Sequence, residues 1–277
     1  MIPILDTHLH LVYPERLSYP WIANAPHLQK RFPVEDYFAE AEPLGIQSAF
    51  HMEVDVAEPQ MREETDFVLG IDPRVIGAIA ACRPEHADFP AHLDWLLERP
   101  RVRGLRRILH QSPDELSQTT QFAANLRRIG DAGLVFDFCL RADQLPIGMA
   151  HAKAAPQTRF VLDHCGVPDV AGEAFEPWRA YIAEMAHIPN IAAKISGVVA
   201  YAKPDWTVAD VRPWIEHVIQ CFGWDRVVWG SDHPVCTRTS TLTRWVNAAR
   251  EFVAGATEEE QRKLFHRNAE RIYGIAR

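Results

Sequence analysis

Ile4-Leu5-Asp6-Thr7-His8-Leu9-His10 stands almost at the amino terminus, and its reading decides the fold. It is an apolar run that ends in His-x-His. Residues two apart on a strand share a face, so His8 and His10 point the same way from the strand's carboxyl end. Two imidazoles placed like this can hold a metal or polarise a substrate oxygen. A bare His-x-His is as readily two histidines near a surface turn, so the rest of the chain has to choose. Three later runs repeat the design: Phe160-Val161-Leu162-Asp163-His164, Ala193-Lys194-Ile195-Ser196-Gly197 and Val227-Val228-Trp229-Gly230-Ser231-Asp232. Each has the composition of a buried strand, and each ends in a polar residue able to do chemistry.

Working outward, apolar runs recur along the whole chain: Ile2–His8, Ile46–His51, Val75–Ala81, Val102–Leu109, Leu134–Leu140, Arg159–His164, Ile191–Ile195 and Arg226–Gly230. They are short, rich in Val and Ile, and continuously apolar, as parallel strands covered on both faces are. Helical patterns lie between them. Ser112-Pro113-Asp114-Glu115 reads as a helix start ahead of Phe122, Leu126 and Ile129, with Gly133 closing the segment. Asp210 reads as the cap of a helix carrying Val211, Trp214, Ile215, Val218 and Phe222, with Pro213 in its first turn. Thr257-x-x-Glu260 opens a last helix.

Eight strands alternating with helices in 277 residues predict one α/β domain, a (β/α)8 TIM barrel over residues 1–277. A doubly wound open sheet would carry a glycine-rich phosphate loop after its first strand. His-Leu-His-Leu-Val-Tyr-Pro stands there instead. The stretch from Tyr13 to Pro33, with four prolines and Trp21, reads as a long loop after strand one that folds over the barrel mouth.

Composition narrows the function classes. The chain is 47% hydrophobic, enough for a large core, and its net charge of −8 argues against nucleic acid or an acidic membrane surface as partner. The partner expected is a small molecule, with the protein a monomer or homodimer. Five scattered cysteines read as reduced thiols, not a disulfide framework, and the chain shows no basic, apolar leader pattern. Both point to the cytoplasm.

In a barrel the carboxyl ends of all strands meet at one mouth, where active sites sit. His8 and His10 end strand one, Glu53 follows strand two, Arg83 follows strand three, His164 ends strand six and Asp232 ends strand eight. Three imidazoles and a carboxylate around one cavity suit hydrolysis. Asp232 takes a proton from water, while His8, His10 and His164, or a metal they hold, polarise a carbonyl. A single site made of His8, His10 and Asp232 would take one divalent ion such as zinc. Arg106 and Arg107 are adjacent, so only one faces inward, where it would bind a substrate oxygen. Glu53, Arg83 and Tyr201 complete the substrate-contact candidates, and Cys139 and Cys165 read as packing.

Taken together, Asp-Thr-His-Leu-His, Leu-Asp-His-Cys-Gly-Val-Pro-Asp at 162–169, Lys-Ile-Ser-Gly at 194–197, Trp-Gly-Ser-Asp-His-Pro-Val at 229–235 and Arg-Asn-Ala-Glu-Arg-Ile-Tyr-Gly at 267–274 resemble the amidohydrolase superfamily. Within it they resemble the branch holding fuconolactonase-like sugar-lactone hydrolases and pyrone dicarboxylate lactonase. The resemblance implies a (β/α)8 barrel with His8, His10, His164 and Asp232 at its centre. It implies water attack on an ester or lactone carbonyl with Asp232 as general base, and Arg106 on the substrate. Departures matter too. Strand four lacks the metal-bridging lysine or glutamate of two-metal members, and strand five lacks a terminal histidine. A two-metal site is therefore not expected, leaving one metal or none. His233 stands where a tryptophan is common.

Three functions compete: a hydrolase opening a sugar lactone or a pyrone dicarboxylate-type lactone, a metal-dependent decarboxylase of an aromatic or unsaturated acid, and a binding protein on a barrel scaffold. The first needs the least apparatus, because a lactone is already an activated ester. A decarboxylase would want a firmly held metal and an arginine free to bind a carboxylate. Loop aromatics Tyr13, Trp21, Tyr201 and Trp206 suit a sugar or an aryl ring equally.

Overall fold

All eight apolar runs are strands, and they pair in parallel in the order β1-β2-β3-β4-β5-β6-β7-β8. The computed structural model describes residues 2–275. The strands are β1 Ile4–Leu9, β2 Ile46–Met52, β3 Val75–Ala81, β4 Val102–Ile108, β5 Val135–Cys139, β6 Arg159–Leu162, β7 Ile191–Ile195 and β8 Val227–Trp229. Helices α1 Val34–Ala41, α2 Met61–Ile71, α3 Phe89–Leu97, α4 Thr120–Asp131, α5 Leu145–Ala154, α6 Trp178–Ala186, α7 Val208–Phe222 and α8 Leu242–Phe252 alternate with them. This is the (β/α)8 barrel. None of the described helices is long and apolar enough to cross a membrane.

Alternation sorts the side chains. On β5, Phe136 and Phe138 face the helices and pack with Phe160 and Phe122. Val135, Asp137 and Cys139 have the opposite parity and face the barrel. The floor of the interior is apolar: Phe50, Ile79, Val135, Val161 and Val228 pack together with Tyr273. Tyr273 follows a terminal helical segment, Asn268–Ile272, that closes the barrel's lower end. Asn268 secures this plug by donating to the carbonyls of Trp224 and Val227 at 2.7 and 2.8 Å. A charged layer lies above the apolar floor, and the candidate site lies above that.

Two helix starts differ from the sequence reading. Ser112–Glu115 leads only into a short 3-10 turn, Asp114–Leu116. The helix begins at Thr120, where Thr119 caps it by accepting from the Phe122 N–H at 3.1 Å. Thr207, not Asp210, caps α7, and Asp210 is the reciprocal partner that accepts from the Thr207 N–H at 2.7 Å. Pro213 therefore falls beyond the first turn, inside α7. Thr257 and Glu260 form the expected capping box.

The loop after β1 packs against residues that follow β2. It contains two short 3-10 turns, Pro20–Asn24 and Pro26–Leu28. Its own apolar cluster joins Leu17, Tyr19, Ile22 and Leu28 to Val54 and Val56 beyond β2. The Trp21 indole donates to the Val54 carbonyl at 2.7 Å and clamps the loop there.

The seam between β8 and β1 is closed by different means. Asp232 N–H donates to the His8 carbonyl at 2.9 Å, and His10 N–H to the His233 carbonyl at 2.8 Å. Asp6 completes the join. Its Oδ1 accepts from the N–H groups of His8 and Ser231 at 3.0 and 2.8 Å, and its Oδ2 from the Tyr37 hydroxyl at 2.5 Å. Asp6→Ala strands three buried donors, so urea unfolding should show a loss of about 3–5 kcal/mol, against about 1 kcal/mol for Tyr37→Phe. The reverse order would contradict the seam role of Asp6.

Candidate active site

Backbone geometry brings the site together before any side chain acts. Asp163–Gly166 leaves β6 in a tight turn, with His164 and Cys165 in left-handed conformation at φ 56° and 54°. Asp232, beyond β8, is left-handed as well, at φ 56°. Non-glycine residues avoid this region, and such strain gathers at functional sites. Two glycines make room for the histidines. A Cβ at Gly197 would lie 2.2 Å from His164 Nδ1, and one at Gly230 would lie 2.6 Å from His8 Cβ.

At the end of β1 the rings of His8 and His10 meet edge to face with centroids 4.9 Å apart. His164 joins them, its ring 4.5 Å from that of His8. Asp232 Oδ1 lies 3.7 Å from His8 Nε2 and 3.5 Å from His10 Nε2. A cavity of about 110 Å³ opens above this group. Its walls include His10, His164, Asp232, Arg106, Tyr201 and the loop residue Trp21. His8 is wholly buried behind them.

The other candidates divide. Arg106 faces inward while Arg107 turns outward to Glu85 at 2.8 Å. The Arg106 guanidinium donates to Glu53 Oε1 at 2.6 Å and to the Glu53 carbonyl at 2.7 Å. Glu53 therefore holds Arg106; its other oxygen accepts from the Asp55 N–H at 2.8 Å. Arg83 sits outside the cavity lining, held by Asp55 and Glu58 at 3.3 and 3.4 Å. Tyr201 lines the cavity, its ring 6.3 Å from that of His164.

Sequence reading assigned no role to Asp137, Lys194 or Tyr273, or to Asp163 beside His164. Lys194 is completely buried, 2.5 Å from Asp137 Oδ2 and 2.9 Å from Asp163 Oδ1. The Tyr273 hydroxyl donates to Asp137 at 2.9 Å. Asp163 Oδ1 lies 3.4 Å from His8 Nδ1. The available signal was one charge inside an apolar run, in Val135-Phe136-Asp137-Phe138 and Ala192-Ala193-Lys194-Ile195. His110 was missed as well: it lines the cavity, with the Cys139 sulfur 3.0 Å from its Nδ1.

Burial dominates the titration of the site. It pushes His10 down to about 3, with Arg106 adding to the effect, and His164 down to about 4. It also holds His8 well below the ordinary histidine value. All three imidazoles are thus neutral near pH 7, the state that ligates metals. Burial lifts Asp232 to about 6 and Asp137 to about 7. It would lift Asp163 too, but Lys194 and then His8 outweigh it and hold that carboxyl well below the usual range.

These residues fit a cation. His10 Nδ1 lies 3.0 Å from the Met52 carbonyl, which can only accept, so its proton sits there and Nε2 offers a lone pair. That lone pair faces Asp232 Oδ1, a buried oxygen with no hydrogen-bond partner. Two acceptors facing each other call for a proton or a metal ion between them. Donors 3.5 to 3.7 Å apart match the separation left by two metal bonds of about 2.1 Å. His8, His10 and Asp232 form one group able to hold a metal, and His8, Asp163 and His164 form a second that shares His8. Charge agrees: the carboxylates of Glu53, Asp137, Asp163 and Asp232 face Arg106 and Lys194, with Arg83 acting on Glu53 from outside the cavity.

Residues 5–275 match the amidohydrolase family. The chain belongs to it. Among its relatives is the L-fucono-1,5-lactonase of Burkholderia multivorans, 26% identical over 98% of this chain and 96% of that one. The 4-sulfomuconolactone hydrolase of Rhizobium radiobacter is 26% identical over 83% and 75%. An amidohydrolase of Burkholderia multivorans crystallised with bound zinc superposes with a TM-score of 0.90 at 22% identity, covering 99% of this chain and 100% of that one.

The raised Asp232 carboxyl makes a stability prediction for this amidohydrolase in metal-free form. The folded state favours protonated Asp232, so that stabilisation is fully present below the unfolded value near 3.8 and is lost as pH rises through about 6. Asp232→Asn escapes the loss. Its stability advantage over the parent should be near zero at pH 4 and grow to about 3 kcal/mol by pH 8, read from urea unfolding across pH. An advantage that does not change with pH would show that Asp232 titrates normally.

Proposed function

We propose that this amidohydrolase opens a lactone ring by hydrolysis, most simply that of a monocyclic sugar lactone. The observation that carries the reading is the convergence of Asp232 with His8, His10 and His164 at one small cavity. The relatives that act on a fuconolactone and a sulfomuconolactone support the lactone as the common substrate element. A cavity of about 110 Å³ favours a single small ring.

The lactone carbonyl carbon sits where Asp232 can remove a proton from an attacking water. As the water oxygen bonds to that carbon, its proton passes to Asp232. The oxyanion that develops is stabilised by His164 and by the positive field of Arg106, which Glu53 holds in place. The ring C–O bond then breaks, Asp232 returns the proton to the departing ring oxygen, and a hydroxy acid leaves. A zinc ion held by His8, His10 and Asp232 would polarise the carbonyl and acidify the water. Tyr201 and Trp21 would face the ring substituents from the cavity wall.

Decarboxylation has less support here. It would need an arginine free to take the substrate carboxylate, whereas Nε and Nη2 of Arg106 are held by Glu53 and its Nη1 faces His8 at 3.3 Å.

A pH-indicator assay across aldonolactones, a pyrone dicarboxylate and aryl esters tests the reading. Acid release from one lactone should fall at least about 10³-fold in Asp232→Asn, the usual scale for removing a general base together with its electrostatic role. No hydrolysis of any lactone by the zinc-loaded and metal-free enzymes would overturn it.

A further inference from the structure

The buried charges beneath the histidines are absorbed by no step of the reaction just described. Tyr273 rises from the terminal plug to Asp137, Asp137 pairs with Lys194, Lys194 pairs with Asp163, and Asp163 faces His8. We propose that these four residues form one polar column that fixes the His8 imidazole with its proton on Nδ1, toward Asp163, and its Nε2 lone pair toward the site. Lys194 is then a positioning residue acting through Asp163.

Both sides of the ring argue for this tautomer. On one side, Asp163 Oδ1 lies 3.4 Å from Nδ1 and can only accept when ionised. On the other, Arg106 Nη1 lies 3.3 Å from Nε2. An arginine has donors and no acceptor, so Nε2 must present its lone pair to it. Lys194 Nζ, Asp163 Oδ1 and His8 Nδ1 form a triangle with sides of 2.9, 3.4 and 3.4 Å, and Asp163 Oδ1, with no other hydrogen-bond partner, is the acceptor that the ring proton and the ammonium can share. The rival arrangement has Nδ1 accepting from Lys194 and an Nε2–H aimed at Asp232. It leaves that N–H beside a guanidinium, with its acceptor 3.7 Å away, beyond hydrogen-bond range. Without Lys194, two carboxylates would face each other in a dry interior and Asp163 would have no fixed place. Stability alone does not explain the column, since buried ion pairs are often replaced by apolar groups of similar volume without loss. Orienting a ligating histidine through its second nitrogen does explain it.

The inference rests on His8 serving the site proposed above, and its first test needs no substrate. Side-chain nitrogen spectra of the 15N-labelled, metal-stripped protein at pH 8 should show His8, assigned by its loss in His8→Gln, as the Nδ1–H tautomer. An Nε2–H pattern would overturn the proposal whether or not any lactone is hydrolysed. The second test is the double variant Asp137→Asn with Lys194→Met, which removes one charge of each sign. A merely structural pair tolerates it. A positioning column predicts, in a variant that still folds, mixed His8 tautomers and kcat lowered about 10–100-fold with KM within about twofold. Parental tautomer and kcat in the folded double variant would overturn the proposal. Should that variant fail to fold, Tyr273→Phe keeps the ring packed on Phe50, 5.1 Å away, and removes only the hydroxyl. A shifted His8 signal with a few-fold loss of kcat would then support the column, and no change in either would overturn it.

Discussion

A completely buried lysine, 2.5 Å from one aspartate and 2.9 Å from another, is the constraint on which the interior depends. Burying a single ammonium is costly, and burying carboxylates without it would be costlier still. The barrel resolves this by layers. An apolar floor built from Phe50, Val135, Val161 and their neighbours shuts water out from below. The ion-paired layer sits on that floor, and the histidines sit on the ion pairs. Excess negative charge remains, since Arg106 and Lys194 face four carboxylates and Arg83, which adds its field at Glu53, is itself shared with Asp55 and Glu58. That excess is why burial can lift Asp137 and Asp232 while Asp163 stays ionised. It is also why a divalent cation suits the group above.

The same layering ties distant parts of the chain to one ring. His8 is approached by Asp163 from β6, Lys194 from β7, Arg106 from β4 and Asp232 from beyond β8. Parts of this ring of contacts need backbone that ordinary packing would avoid. His164 and Asp232 sit in left-handed conformation, and Gly197 and Gly230 give up their side chains so that histidines can fit. Strain of this kind persists only where the surroundings over-determine it. Here those surroundings are the seam bonds of Asp6 and the Ser196 hydroxyl against His164 at 3.1 Å.

Much of this was legible in the chain. The strands were readable because parallel strands buried on both faces are continuously apolar, and eight of them alternating with helices match a barrel. His8, His10, His164 and Asp232 were readable because all lie at strand ends, which a barrel gathers at one mouth. Helix starts were less so. Thr119 and Thr207 were overlooked because Ser112 and Asp210 are equally good caps by residue type, and only backbone conformation separates them. Arg83 and Glu53 stand at strand ends too, yet neither lines the cavity, since local carboxylates or guanidinium groups claim them first.

The sequence by itself determined the barrel and which strand-end residues gather at its mouth, because apolar period and strand-end position are local properties that survive without neighbours. Only the tertiary structure decided which charges meet. Asp137 and Lys194 are 57 positions apart, and Tyr273 is 136 from Asp137. A charge in the middle of an apolar strand says that a partner must exist, because the interior cannot hold it alone. Which partner it takes depends on strand register and on the height of each side chain in the barrel, and neither is written in any one segment.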